Sequence, residues 1–317
     1  MTDPTSLHPD GGPAQADDGN WDKWRALVAQ AYARFLDMML TQRPHYPGLT
    51  DYTAVERAGK TQGSGPWWWG AAGEIRETIN SINAWGVRVH EWGAWNLVIE
   101  TYENEMDRWD ILNHFVEPVV FFCMLQPSSL ADRLTVAAET LLHQANLFTV
   151  SEYLDKLDQD VLKPGTMLRR RDRHTQLKRL GQGWLRFDDF FNALEALDGS
   201  DYRKLTRNFR DLSNHSFAPR LMIGEVARAL RSFGPYPDLV KQPDGSLEEI
   251  VDPTKPRAQY AMALLAPLPL DVARVANLAE YQRARVAMQA FAALVTELGD
   301  RMDAMAKPVP HAPSDSS

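Results

Sequence analysis

Apolar residues recur along most of this chain at three- and four-residue spacing, which predicts an all-α protein of one or more helical bundles. Trp24, Leu27, Val28, Ala31, Phe35, Met38 and Met39 mark a first helix over 21–42, ended by Pro44, Pro47 and Gly48. Residues 46–70 read as a loop leading into Trp67-Trp68-Trp69. A second helical region covers 71–105, with an interruption expected near Gly86 or Gly93. Helices over 108–125, 128–148 and 151–162 follow, with Ser128 or Ser129 and then Ser151 as caps.

Lys163-Pro164-Gly165 is the best internal break. It divides an N-terminal helical region, 20–162, from a C-terminal bundle, 163–305, with a bundle start near 130 as an alternative. Helices are expected in the second block over 167–180, 184–197, 200–215, 222–233, 256–266 and 271–305. Val275, Leu278, Val286, Phe291, Leu294, Val295, Leu298 and Met302 give the last one a broad apolar face. Pro243-Asp244-Gly245 between two short alternating runs predicts one small β-hairpin near 239–250. Residues 1–19 and 306–317 are rich in Pro, Ser, Asp and small residues and read as disordered tails.

Composition narrows the function classes. The net charge of −8 means that any surface for nucleic acid must be local. The one cysteine, Cys123, lies in V-V-F-F-C-M-L, reads as a core residue, and fits a reducing cytosol. The N-terminus lacks the apolar segment of a signal peptide, and the apolar runs are too short or interrupted for a membrane span, so a cytoplasmic protein is expected.

The candidate chemistry concentrates in Tyr202–Arg220. Tyr202, Leu205, Phe209 and Leu212 form one buried stripe of the helix expected over 200–215. Arg207, Arg210, Asp211 and Asn214 project from its other face, and His215 stands at its end. An arginine offers a permanent fork of donors to phosphate oxygens, and a histidine moves protons near neutral pH. Together they suit cleavage of RNA without metal: histidine as acid or base at the 2′-hydroxyl, arginine on the charge of the phosphorane. At four-residue spacing Asp211 would orient His215, while Arg207 and Asp211 could instead form an ordinary helix ion pair.

The string R-D-L-S-N-H, Arg210 to His215, resembles the R-x(4–6)-H signature of HEPN domains. The resemblance would cover roughly 130–303 and implies a four- or five-helix bundle pairing as a homodimer, with the two motifs meeting at the interface. It further implies a metal-independent endoribonuclease, as in toxins and phage-defence effectors, needing no cofactor and no metal. Members that have lost catalysis bind nucleotides or partners. Arg108–His114 and Arg169–His174 also satisfy the spacing, but Trp109 and Arg170, not Asn, Asp or His, follow those arginines.

Arg169, Arg170, Arg171, Arg173 and Lys178, with His174, Arg179 and Arg207, form a basic cluster that could track an RNA backbone or serve as a solvated face. Asp188-Asp189-Phe190-Phe191-Asn192 resembles the aspartate-rich motif of terpene cyclases, but it follows the midpoint and has no second metal motif after it, so it reads as an exposed acidic face. Glu139 and His143 have one residue too many for a di-iron Glu-x-x-His pair, and His90 and His114 read as structural. Trp67–Trp69 could stack on bases or anchor a loop. Three readings result: the ribonuclease, a catalytically silent helical module that binds a nucleotide or a protein, and an unrelated helical enzyme with its site near the tryptophans.

Overall fold

In the computed structural model the described residues are 18–42, 48–163, 166 and 168–306. Most of the two expected tails lies outside them. The fold is mostly helical with one antiparallel two-stranded ribbon. In order the helices are α1 (Asp18–Gln42), α2 (Thr53–Lys60), α3 (Ala72–Glu100), α4 (Glu105–Ile111), α5 (Glu117–Thr149), α6 (Arg170–Leu180), α7 (Phe187–Glu195), α8 (Ser200–Leu205) and α9 (Phe209–His215). The strands β1 (Val226–Lys241) and β2 (Leu247–Leu265) follow, and α10 (Leu270–Met305) closes the chain.

The long helices α3, α5 and α10 pack on one another. Each turns a broad apolar face inward and keeps exposed polar residues on the remaining side. Ile75, Ile79, Ile82, Trp85 and Trp92 of α3 are fully buried, as are Leu134 and Leu142 of α5 and Phe291, Leu294 and Leu298 of α10. Outside this trio, α1 stacks Phe35 on Trp95 of α3 at 4.4 Å, and Trp95 stacks in turn on Phe115. The break at 163–165 divides the chain in sequence only, for residues from both blocks share one hydrophobic core.

Asn277 lies at the centre of this packing, fully buried on α10. Its side-chain oxygen accepts from the Trp85 indole at 2.8 Å. Its amide donates to the Cys123 carbonyl at 2.9 Å and to the Tyr202 hydroxyl at 3.0 Å. One side chain thus joins α3, α5, α8 and α10, and its core partners are satisfied by it. Cys123 is itself buried, and desolvation raises its thiol well above the ordinary value, as suits the expected core cysteine.

Several expected elements differ. The helix α3 runs without interruption, because Gly86 and Gly93 are approach points for α10. A Cβ at Gly86 would strike the Tyr281 ring, and one at Gly93 the Arg274 guanidinium. Pro127, Ser128 and Ser129 lie inside α5 and cap nothing. Burial of Met124, Leu130, Ala131 and Leu134 outweighs the roughly 3 kcal/mol helix penalty of proline. Part of the loop expected over 46–70 is α2, whose Ala54, Val55 and Ala58 are buried. Residues 151–157 are not helical: Glu152 takes a left-handed conformation, and only Asp158–Val161 forms a short tight turn.

The largest corrections concern the segments around the hairpin. Residues 222–233 and 256–266, expected as helices, mostly belong to β1 and β2. The turn at 242–246 is as expected: Gly245 takes a positive φ of 89°, and the Gln242 N–H donates to Ser246 at 2.8 Å. From there the pairing runs to Val226 opposite Leu265, far beyond 239–250. Alanine, arginine, leucine and methionine favour helices locally, but cross-strand pairing overrides that preference.

Two stability predictions test the packing. Asn277→Ala leaves the buried Trp85 indole N–H and the Cys123 carbonyl without their side-chain partner and the Tyr202 hydroxyl with only its long bond to Met124, and should cost about 3 kcal/mol in urea unfolding, whereas Asn277→Asp should not restore it. Gly86→Ala should cost about 1–3 kcal/mol by overpacking against Tyr281, with recovery in Gly86→Ala/Tyr281→Phe.

Candidate functional site

The helix expected over 200–215 is two short helices. Arg207 and Asn208 both adopt the left-handed conformation, at φ 52° and 56°, and turn the chain between α8 and α9. Asparagine tolerates this conformation better than most residues. The bend is held by the Thr206 hydroxyl and N–H donating to the Tyr202 carbonyl at 2.8 and 2.9 Å. The expected stripe is therefore split. Tyr202 and Phe209 are buried, Leu212 is half-buried, and Leu205 is exposed.

The whole candidate motif, Arg210 to His215, lies on α9 beyond the bend. The Arg210 guanidinium donates to Asp211 at 2.8 Å. That bond holds the Asp211 carboxyl below the ordinary carboxylate value. Asp211 thus serves Arg210 and not His215, and the expected Arg207–Asp211 pair is also absent, since Arg207 instead donates to the carbonyls of Ala266 and Pro267. Asn214 and His215 are exposed and make no hydrogen bond or ion pair among the described residues.

Two cavities flank α9. The first, about 1100 Å³, is a basin between α6, α7 and α8. Arg170, Arg171, Lys178, Arg203, Lys204 and Arg207 line it, with His174 and the carboxylates of Glu195, Asp198 and Asp211. The second, about 780 Å³, is lined by Phe121, Phe209 and Phe217 at the base of the ribbon. Neither Arg210 nor His215 lines either cavity, so within one chain the candidate catalytic pair does not meet the collected cations.

The basin floor is built from the core outward. Asp198, buried and left-handed at φ 54°, receives Arg203 at 2.7 Å and Arg170 at 3.6 Å. Its backbone N–H donates to Glu280 of α10 at 3.1 Å. Glu280 is fully buried and also accepts from Arg283. Burial raises its carboxyl above the ordinary value, against the bonds from the Asp198 N–H and Arg283, which lower it. On the wall, the His174 Nδ1 meets Glu195 at 2.6 Å while its Nε2 is buried without a partner. Lys178 lies 4.7 Å over the Phe191 ring. Arg171, Lys178, Lys204 and Arg207 have no carboxylate partner among the described residues.

The expected basic cluster is thus sorted. Arg170, Arg171, Lys178 and Arg207 come together in the basin. Arg173 does not: its side chain is largely buried and bound to Glu139 at 2.6 Å, so it is a structural ion pair and not an RNA contact. Arg169 points to solvent outside the basin, with only Asp172 near it at 3.8 Å, and Arg179 pairs with Asp158. Arg203 and Lys204, which belong to the site, were passed over in the sequence. The signal that could have found them is their recurrence with Arg207 one helical turn apart.

The remaining candidates resolve into structure. Glu139 holds Arg173 and Gln176, and His143 lies between Tyr153 and Asp155 at 2.9 Å each. Asp188 and Asp189 are exposed, while Phe190 and Phe191 between them and the core are buried. His114 packs edge-on against Trp24 and Phe115, and Arg108 reaches Met222. Trp67 is the loop anchor, buried with its indole donating to the Ala58 carbonyl at 3.1 Å, whereas Trp68 and Trp69 are exposed. Among the described residues no helix is long and apolar enough to cross a membrane.

The elevated Glu280 carboxyl gives a pH prediction. A carboxyl raised in the folded state contributes most stability at low pH and loses it as pH rises from its unfolded value, about 4.3, through the folded one. The unfolding free energy of wild type minus that of Glu280→Gln should therefore fall as pH rises from about 4 to 7, the glutamine variant gaining on wild type in urea unfolding; a difference that rises with pH contradicts the burial effect. No family model matches this chain, and neither the curated proteins nor the solved structures contain a match to it.

Proposed function

We propose that this protein is a helical module that binds a phosphate-bearing strand, RNA being the preferred ligand, across the basin between α6 and α8. One observation carries the reading: Arg171, Lys178, Lys204 and Arg207 gather around one cavity without carboxylate partners, in a chain of net charge −8. Cations concentrated against the overall charge suit a local polyanion contact. Lys178 over Phe191 adds an aromatic face on which a base could stack.

The metal-independent HEPN-type ribonuclease is the catalytic form of this proposal. It is supported by Arg210 bound to Asp211, which lines the basin, and by the exposed, unengaged imidazole of His215 at the end of the same helix. It requires a second chain or a bound RNA to bring phosphate to that imidazole. The binding reading requires neither.

Fluorescence anisotropy on a labelled single-stranded RNA tests both. Wild type should bind with a log–log salt slope of about −3, as expected for four cation–phosphate contacts on a single strand. Arg171→Glu/Lys204→Glu should weaken binding at least about tenfold, while Arg169→Glu, outside the basin, should leave it nearly unchanged. No binding by wild type, or equal losses in both variants, rejects the basin. RNA cleavage in EDTA that vanishes in both Arg210→Ala and His215→Ala, with binding retained, would establish the catalytic form.

A further inference from the structure

The ribbon of β1 and β2 leaves the helical core and pairs only with itself over most of its length. Isolated two-stranded hairpins are marginal in water, so a ribbon this long needs cover on at least one face. Its core-proximal part has two unlike faces, because residues directly opposite share a face and alternate along each strand. One face is half-buried at Val226, Arg228, Ala263 and Leu265. The other is uncovered: Phe233, Tyr260, Met262 and Leu264 are 66%, 72%, 76% and 57% exposed.

The pairing on the uncovered face is regular. Ala227 stands opposite Leu264, Ala229 opposite Met262, Arg231 opposite Tyr260, and Ala258 opposite Phe233. Each pair thus sets one large side chain beside a small one, or an arginine beside an aromatic ring. A two-fold axis along the ribbon lays β1 of one copy over β2 of the other. Leu264 then falls on the partner subunit's Ala227, Met262 on the partner subunit's Ala229, and Phe233 on the partner subunit's Ala258. Tyr260 falls on the partner subunit's Arg231, a cation–π contact. Bulges fill hollows throughout, which is the self-complementarity that an isologous interface demands.

We infer that this face of the ribbon is a homodimer interface and that its occupant is the same face of a second copy. The match argues for a copy, since self-pairing sets large against small at three levels and arginine against tyrosine at the fourth. Arg231 is the one charge on this face over the four levels, and Asp244, Glu248 and Glu249 outnumber Lys241 at the far tip, so the ribbon offers no continuous basic track to nucleic acid or anionic lipid. The inference stands apart from the RNA reading, which rests on different residues.

Sedimentation equilibrium of the full chain at micromolar concentration tests it. Wild type should be dimeric. Tyr260→Lys/Met262→Lys should weaken the dimer by on the order of a hundredfold, with an unchanged circular-dichroism melt of the helices. A second measurement does not depend on that variant folding: Ala229→Cys should be joined by a short bis-maleimide into a dimer, and Ala261→Cys, on the other face, should not. Cys123 is buried and should not react. A monomeric wild type, a double variant still dimeric, or equal cross-linking at both cysteines would overturn the inference.

Discussion

The side chain of Asn277 ties four helices of this fold together at one point. Hydrophobic burial brings α3, α5 and α10 together, but such burial is non-directional and leaves their register open. The three hydrogen bonds of Asn277 do not. They fix where Trp85, Cys123 and Tyr202 stand relative to one another, and a shifted packing would strand buried donors. Tyr202 is the important member for function, since it belongs to α8, which bears Arg203 and Lys204. The position of the basic basin is thereby referred directly to the centre of the core.

From Tyr202 outward the structure is short and sharply bent. Left-handed residues at Asp198, Arg207 and Asn208 break what the pattern presents as longer helices. The result is that cations spaced along the sequence turn inward on one cavity, where a single continuous helix would have spread Arg203, Arg207 and Arg210 along one solvated side. Arg210 lies beyond the bend on α9, outside that cavity and bonded to Asp211.

The helical class, the long final helix, the buried cysteine and the Pro-Asp-Gly turn were all legible in the sequence, because each rests on a local rule that burial reinforces. The interruption expected in α3 was not there, since a glycine in a helix signals weakness or close approach, and only the position of Tyr281 decides which. The length of β1 and β2 was hidden because their residues favour helix when taken alone and become strand through partners about thirty residues away. At the site, the cations of α6 were visible as a run, but the inward turn of Arg173 depends on Glu139, and the membership of Lys204 depends on a bend no periodicity reveals.

The buried Asp198 carboxylate has a consequence for which cations meet a ligand. Its charge is balanced by Arg203 and Arg170, both of which also face the cavity. A ligand that drew both arginines to itself would leave a desolvated anion behind, at a cost of several kcal/mol. An anion that engages only the unpaired Arg171, Lys178, Lys204 and Arg207 leaves that balance intact, so in the proposed complex these four cations, and not Arg170 or Arg203, would meet the ligand.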